Sequence, residues 1–106
     1  MATVKEVLLE ARRLIQDIGL CKGRMYWYTN DDCVNGDKMA YDTVGAIFEA
    51  GRRIEHDEIT LLQNKALSVF QKCIGMLVVI SWNDEPTRTR SEVLSQFLIA
   101  IDSCKE

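Results

Sequence analysis

Three consecutive aromatic residues, Tyr26, Trp27 and Tyr28, follow the cations Lys22 and Arg24 within one short stretch of the chain. Aromatic rings beside cations are the residue types that stack on the bases of single-stranded nucleic acid or of a nucleotide. Tyrosine, tryptophan and arginine are also the usual anchors of protein interfaces. This stretch is therefore a candidate binding surface, and its chemistry would be association.

Two adjacent acids follow the aromatic stretch and bear on what it could bind. Asp31 and Asp32 would repel a phosphate backbone, so a protein partner is favoured over nucleic acid. Packing is the competing interpretation, because side chains alternate between two faces of a strand and at least one ring would then belong to the core. The predicted partner-binding residues are Arg24, Tyr26, Trp27, Tyr28, Asp31 and Asp32.

A second candidate site lies at Trp82-Asn83-Asp84. A carboxylate and an amide beside an aromatic wall could furnish a pocket for a small ligand such as a nucleotide. The structural interpretation is favoured, in which Trp82 anchors a turn in the core while Asn83 and Asp84 hydrogen-bond to loop backbone through their short side chains. The ligand pocket remains the alternative.

No residues have the spacing of a catalytic or metal centre. The interval from Asp31 to Asp42 has the faint spacing of a calcium loop, but Cys33 stands where calcium requires an oxygen ligand. His56 is the only histidine, and it is expected to be exposed just before a predicted helix. We predict no catalytic residue, no metal and no cofactor, and therefore a protein that is not an enzyme.

The four cysteines also argue against a metal or a disulfide framework. They form no C-x-x-C pair, and three of them lie in or beside apolar helical patterns, where a thiol behaves as a small hydrophobe. Reduced cysteines in a cytoplasmic protein are expected. The residues are Cys21, Cys33, Cys73 and Cys104.

Length, charge and hydropathy exclude several classes of protein. A chain of 106 residues that is 47% hydrophobic can build one core, so we expect a single domain over residues 1–106. Its formal net charge of -3 predicts no electrostatic hold on DNA. The longest apolar run, residues 76–80, is far shorter than the roughly 18 residues of a membrane span. Residues 1–6 also lack the pattern of an export signal.

The first half of the chain predicts two helices with an irregular segment between them. Helix one spans about residues 4–18, between a capping box made by Thr3 with Glu6 and a terminal glycine. The segment over residues 20–38 is rich in strand formers and contains a tight-turn signal, so a loop or short hairpin is expected. Helix two resumes with Ala40 and reaches Gly51.

The second half predicts two further helices and one ambiguous run. Helix three extends from about residue 57, with Asp57 as its N-cap, to residue 73. The run over residues 76–80 is compatible with a strand or with a short helix packed inside. Helix four spans about residues 90–103, behind a capping box of Thr89 and Glu92. The predicted fold is mainly α, a compact bundle of four main helices with an irregular aromatic loop or short hairpin between helices one and two.

Several motifs along nearly the whole chain resemble those of a family of small bacterial and phage proteins known only as a domain of unknown function. The family pattern has Gly-Trp-Cys-Gln-Gly, then Cys-Ala-Leu-Gly-Ala-Leu, and late in the chain Trp-Asn-Asp followed by Arg-Thr-x-x-Glu-Val-Leu. The matching segments here are residues 19–23, 42–47, 82–84 and 88–94. The departures are Leu20, Lys22, Asp42 and Thr43, which stand where the family has Trp, Gln, Cys and Ala.

The resemblance implies a bacterial or phage origin and carries no assigned activity. Together with the lack of a catalytic set, it favours a small protein that binds another macromolecule stoichiometrically. The sharper hypothesis is a phage or mobile-element protein that inhibits a host factor in the host cytoplasm, such as a component of CRISPR or another anti-phage defence. The rival hypothesis is a small-ligand or nucleotide-binding protein, a sponge or small enzyme, with its pocket near Trp82.

Overall fold

A computed structural model describes residues 2–28, 38–54 and 59–104 of the chain. These residues form five helices and one two-stranded sheet, so the predicted mainly α fold is confirmed. The elements in chain order are α1 (Val4–Asp17), β1 (Tyr26–Tyr28), β2 (Lys38–Tyr41), α2 (Thr43–Ile54), α3 (Ile59–Ile74), α4 (Val79–Asp84) and α5 (Arg90–Ser103).

Both predicted capping boxes are present at the starts of α1 and α5. The Thr3 hydroxyl accepts a hydrogen bond from the Glu6 N–H, and the Glu6 carboxylate accepts one from the Thr3 N–H. Thr89 and Glu92 repeat the arrangement ahead of α5. Each box satisfies two of the N–H groups that a helix start leaves without intrahelical partners. The predicted bounds of helix one and helix four agree with α1 and α5 to within one residue.

The strands β1 and β2 of the irregular segment pair as a short antiparallel hairpin. A hairpin was one of the two alternatives predicted for this segment. Tyr26 pairs with Tyr41 and Trp27 with Ala40, and the register shifts after Trp27. Ala40 therefore belongs to β2, and its assignment to helix two was wrong. The helix begins at Thr43 because the preceding residues use their backbone groups in other hydrogen bonds. The Tyr41 N–H donates to the Gly19 carbonyl, and the Asp42 N–H donates to the Met25 carbonyl.

The core lies around α1, which packs against α2, α3 and α5. Phe70 of α3 joins two further aromatic rings there, with its ring centroid 4.8 Å from that of Phe97 and 5.4 Å from that of Trp82. No helix among the described residues is long and apolar enough to span a bilayer. The larger fully buried apolar side chains are Val7, Leu8, Leu14, Ile15, Ile47, Phe70, Val93 and Phe97.

The apolar run over residues 76–80 is not a strand. Its last residues begin the short helix α4, in which Val79 and Trp82 are buried. The expectation that the run packs inside was wrong for the others, since Met76, Leu77 and Val78 precede the helix on the surface. A helix of fewer than two turns can direct only some of its side chains inward, and here the inward residues are Val79, Trp82 and Asn83.

Candidate functional site

Asn83, near the end of α4, hydrogen-bonds to two other segments of the chain. Its side-chain oxygen accepts from the Thr43 N–H at 2.9 Å and from the Thr43 hydroxyl at 2.7 Å. Its amide nitrogen donates to the Cys21 carbonyl at 3.1 Å. Asn83 is fully buried, so these bonds replace all contact with water. One amide thus joins α4 to the start of α2 and to the segment that leads into β1.

Asp42 caps α2 from a buried position. Its carboxylate accepts a 2.6 Å hydrogen bond from the Gly45 N–H, and its own N–H donates to the Met25 carbonyl at 2.9 Å. Burial raises the pKa of Asp42 to about 6; the Gly45 hydrogen bond opposes the shift, and the negative charge of Asp84 adds to it. No cation is among the causes, so this carboxyl retains a proton into a pH range where an exposed aspartate is ionised.

Asp84 and Lys22 fasten the segment before β1 to the end of α4. The Asp84 carboxylate accepts from the Gly23 N–H at 3.0 Å, and the Lys22 ammonium donates to the Glu85 carbonyl at 2.5 Å. Gly23 has a φ of 81°, a left-handed conformation that suits glycine. Asn83 and Asp84 therefore satisfy loop backbone groups, as the structural interpretation of this motif predicted.

Gly45 allows the hairpin to reach α2. A Cβ atom at this position would collide with the Met25 carbonyl, which lies directly against the helix. The backbone just before β1 therefore approaches α2 closely at this glycine. We call the set of Cys21, Asp42, Thr43, Asn83 and Asp84 the buried polar network. Asn83 hydrogen-bonds to Cys21, Thr43 and Asp84, and Asp42 belongs to the set through its electrostatic interactions with Cys21 and Asp84.

The Cys21 thiol in this network is poorly suited to nucleophilic chemistry. Its Sγ donates to the Arg24 carbonyl at 3.1 Å. Burial raises its pKa to about 11, and the nearby carboxyls of Asp42 and Asp84 raise it further. A nucleophilic cysteine requires a thiolate. At neutral pH Cys21 is a protonated donor that supports the turn before β1.

Two side chains, those of Phe70 and Arg88, contact the Trp82 ring. The Phe70 ring meets it edge-on, and the Arg88 guanidinium lies 4.3 Å from its ring centroid. Arg88 also donates to the Trp82 carbonyl at 3.1 Å. This geometry gives Trp82 the predicted role of a core anchor, with a cation–π contact on its outer side.

The two sites considered as rivals in the sequence are neighbours in the fold. Arg24 is exposed in the segment that the buried polar network holds against Asp84, and it leads directly into β1. The structure describes the backbone of Tyr26, Trp27 and Tyr28, which forms β1. Asp31 and Asp32 lie outside the described residues, so the partner-binding role of this stretch stays a prediction.

A second polar cluster, between α1 and α2, was missed in the sequence. Glu49 is only 7% exposed, and its carboxylate accepts hydrogen bonds from Arg52 and Arg53. Arg53 also lies 3.7 Å from Glu10, which pairs with Arg13 at 2.7 Å. The i, i+3 and i, i+4 spacing of Glu49 with the two arginines is the signal that could have identified this cluster.

The electrostatics of this second cluster favour fixed charges over proton transfer. The Arg13 hydrogen bond lowers the pKa of Glu10. Burial raises the pKa of Tyr41, and the charge of Glu49 adds to the effect. Glu10 therefore stays ionised and Tyr41 stays protonated at neutral pH. The cluster can tie α1 to α2, or present arginine edges to an anionic group.

The described residues contain no cluster of three or more His, Cys, Asp or Glu side chains that could hold a metal ion. Every buried side-chain nitrogen and oxygen in the described part of the chain has a hydrogen-bond partner. The polar groups around Asn83 are therefore engaged in holding backbone segments together. The hydrogen bonds of the buried polar network hold the base of the hairpin in place.

The chain belongs to a family of unknown function, DUF6197. The family model matches residues 1–103, which include both capping boxes and all five residues of the buried polar network. Neither a comparison with curated proteins nor one with solved structures found a match. Membership in DUF6197 thus confirms the resemblance to a domain without assigned activity.

Proposed function

We propose that this chain is a non-enzymatic module that binds another protein stoichiometrically through the connection between α3 and α4. The observation that carries the proposal is the exposure of four apolar side chains close together in the sequence. Met76, Leu77, Val78 and Ile80 are 42%, 82%, 57% and 45% exposed. Single exposed apolar residues are common on protein surfaces, whereas a contiguous group of them marks an interaction site.

The α3–α4 connection is held in place before any partner arrives. Gly75 ends α3 with a φ of 70°, and its N–H donates to the Gln71 carbonyl at 2.9 Å. The Gln71 side chain reaches forward and donates to the Leu77 carbonyl at 2.8 Å. On the other side, the buried Val79 anchors the start of α4. A surface ordered in this way loses little conformational entropy on binding.

The shape of the surface favours a partner of different sequence over a second copy. A loop side chain that is 82% exposed, as Leu77 is, projects from the protein and fits a concave apolar pocket. A two-fold dimer would instead bring the same projecting surface against itself. The net charge of -3 disfavours a nucleic-acid backbone. The occupant that fits is a partner protein with an apolar pocket.

A narrower version of the proposal concerns origin and partner. In that version the chain is encoded by a phage or mobile element, acts in the host cytoplasm and inhibits a host factor, for example a component of CRISPR or another anti-phage defence. Its support is the resemblance to small bacterial and phage proteins. Inhibition by association requires no catalytic residues, in keeping with a network whose polar groups hold backbone.

The test uses the purified chain as bait on lysates of infected and uninfected host cells, followed by affinity measurement with the recovered partner. Leu77→Ser removes the projecting side chain, and Leu61→Ser is the matched control, because Leu61 is 59% exposed on α3 more than two turns before its C-terminal end. We expect Leu77→Ser to weaken binding at least about tenfold, as loss of an interface anchor does. Leu61→Ser should bind like the wild type, with one partner per chain.

Two results would contradict the proposal. One is a partner that binds Leu77→Ser as tightly as the wild type. The other is a recovered molecule that proves to be a substrate turned over by the chain. Melting curves of both variants show that a loss of binding does not reflect unfolding.

A further inference from the structure

We propose that Cys73 and Cys104 form a reversible intramolecular disulfide that ties the end of α3 to the end of α5. The proposal is independent of the proposed function. The two helices lie side by side with their C-terminal ends together. Phe70, one turn before Cys73, contacts Phe97, nearly two turns before Cys104, with ring centroids 4.8 Å apart, and the Cys73 Sγ lies 3.7 Å from the Ser103 hydroxyl.

Both thiols border the same few atoms. The Ser103 hydroxyl donates to the Ala100 carbonyl at 2.6 Å, and the Cys104 Sγ donates to that carbonyl at 3.4 Å. Together with the Cys73 contact, these distances place the two sulfur atoms less than about 10 Å apart.

Cys104 stands where the chain can adjust to close the remaining distance. It is the C-cap of α5 and has already left helical geometry, with a φ of -77° and a ψ of 128°. Helix ends fray, and the Cys104 backbone is joined to α5 by the hydrogen bond from its N–H to the Ile101 carbonyl at 3.1 Å. Rotation of the two side chains with a shift of this last residue brings the sulfurs toward the 2.0 Å bond length that a disulfide requires. Both cysteines are half-buried, so a small oxidant can reach them.

The chemistry needs a small-molecule disulfide such as oxidised glutathione as the oxidant. The thiolate of one cysteine attacks the glutathione disulfide, which forms a mixed disulfide and releases one glutathione thiolate. The second cysteine, as its thiolate, then attacks the protein sulfur of the mixed disulfide and releases the second glutathione. The chain loses two protons and two electrons, and one glutathione disulfide becomes two glutathione molecules.

The disulfide would close a loop that contains α4 and α5. Closing a loop of roughly 30 residues restricts the unfolded chain and stabilises the folded one. Cys21 provides the internal comparison, since its thiol faces the Arg24 carbonyl in the hairpin segment and has a raised pKa. Of the three cysteines that the structure describes, oxidation should therefore select Cys73 and Cys104.

The experiment equilibrates the full chain in glutathione redox buffers, traps remaining thiols by alkylation and maps the peptides by mass spectrometry. We expect the oxidised chain to lose the mass of two hydrogen atoms, to yield one peptide pair that links Cys73 to Cys104, and to melt at least about 5 °C higher. Dithiothreitol should reverse all three changes. Cys73→Ser and Cys104→Ser should each abolish the link, whereas Cys21→Ser should retain it.

Three outcomes would overturn the proposal: alkylated thiols at Cys73 and Cys104 in the most oxidising buffer, glutathione adducts alone, or links through another cysteine or between chains. Peptide mapping of the wild type decides among these outcomes even if a serine variant fails to fold. A link that forms without a rise in melting temperature would contradict the claim that the two helix ends already lie together.

Discussion

The side-chain oxygen of Asn83 accepts both the N–H and the hydroxyl of Thr43, at 2.9 Å and 2.7 Å. The two residues are 40 positions apart in the sequence and both are fully buried. Through this pair the short helix α4 is joined to the first residue of α2. Since the amide nitrogen of Asn83 also holds the Cys21 carbonyl, the base of the hairpin depends on the same side chain.

Replacing Asn83 with alanine should therefore destabilise the fold more than the loss of one hydrogen bond would. The change leaves the Thr43 N–H, the Thr43 hydroxyl and the Cys21 carbonyl without partners in a buried site, at about 2–4 kcal/mol in total. Urea unfolding measures the free energy. Asn64→Ala, on the exposed face of α3, is the control and should change it by less than about 0.5 kcal/mol. Equal effects of the two substitutions would contradict a special role for Asn83.

Two glycines of α2 give a matched pair of substitutions. Gly45→Ala should destabilise the protein by more than 1 kcal/mol, because its Cβ would collide with the backbone carbonyl of Met25. Gly51→Ala should cost less, since the nearest atoms belong to the Gln63 side chain, which can move, and alanine favours helix by about 1 kcal/mol. Thermal unfolding of both variants checks the order. A Gly45→Ala protein as stable as Gly51→Ala would refute the close approach of the hairpin.

Asp42 should make the protein less stable as the pH rises. Its pKa is about 6 in the folded chain and 3.8 without burial, so its favourable contribution is complete below about pH 3.8 and is lost as the pH rises through about 6. The difference corresponds to up to about 3 kcal/mol. Asp42→Asn keeps an oxygen for the Gly45 N–H and has no charge to bury. The variant should gain stability relative to the wild type between pH 4 and pH 7.

Comparing wild type and variant at each pH isolates Asp42, because the carboxyls with lowered pKa, such as Glu10, act equally in both proteins and at lower pH. Asp102→Asn, at an exposed position of α5, is the matched control and should follow the wild type. A stability difference between wild type and Asp42→Asn that does not vary with pH would show that the buried carboxyl does not titrate in this range.

Trp82→Ala should destabilise the fold by about 3–5 kcal/mol, the cost of a large cavity beside Phe70 and of a lost contact with Arg88.

Alanine at Tyr26, Trp27 or Tyr28 tests the prediction that the aromatic stretch contributes to partner binding. The most exposed of the three should lose about 1–2 kcal/mol of binding free energy while its melting temperature stays within a few degrees. A folded Trp82→Ala protein that loses binding would reverse the assignment of scaffold and surface.

The sequence predicted α5 almost to the residue because its signals are local. Thr89 and Glu92 lie three residues apart, and the apolar spacing from Val93 to Ile101 belongs to one helix. The start of α2 could not be predicted in the same way. Ala40 and Thr43 are both compatible with a helix, and the pairing of residues 38–41 with β1 is what decides between them.

The burial of the polar residues could not be predicted from the hydropathy pattern, because that pattern treats every polar residue as exposed. Asp42 and Asn83 become buried because their partners arrive from distant parts of the chain: the Cys21 carbonyl is 62 residues before Asn83. Leu77 is the opposite case. Its hydrophobicity predicted burial, but nothing in the described fold covers its side chain. Spacing within one helix carries no information about such long-range contacts.

The contact between α1 and α5 sets the order in which the protein can mature during its synthesis. Arg12 of α1 donates from its guanidinium to the Leu94 carbonyl of α5, a partner 82 residues later in the chain. Until residues 93–101 have left the ribosome, part of the apolar face of α1 has nothing to cover it. The nascent chain must therefore keep its first helix from aggregating until residues 93–101 have been translated, and a product truncated before them would leave that face exposed.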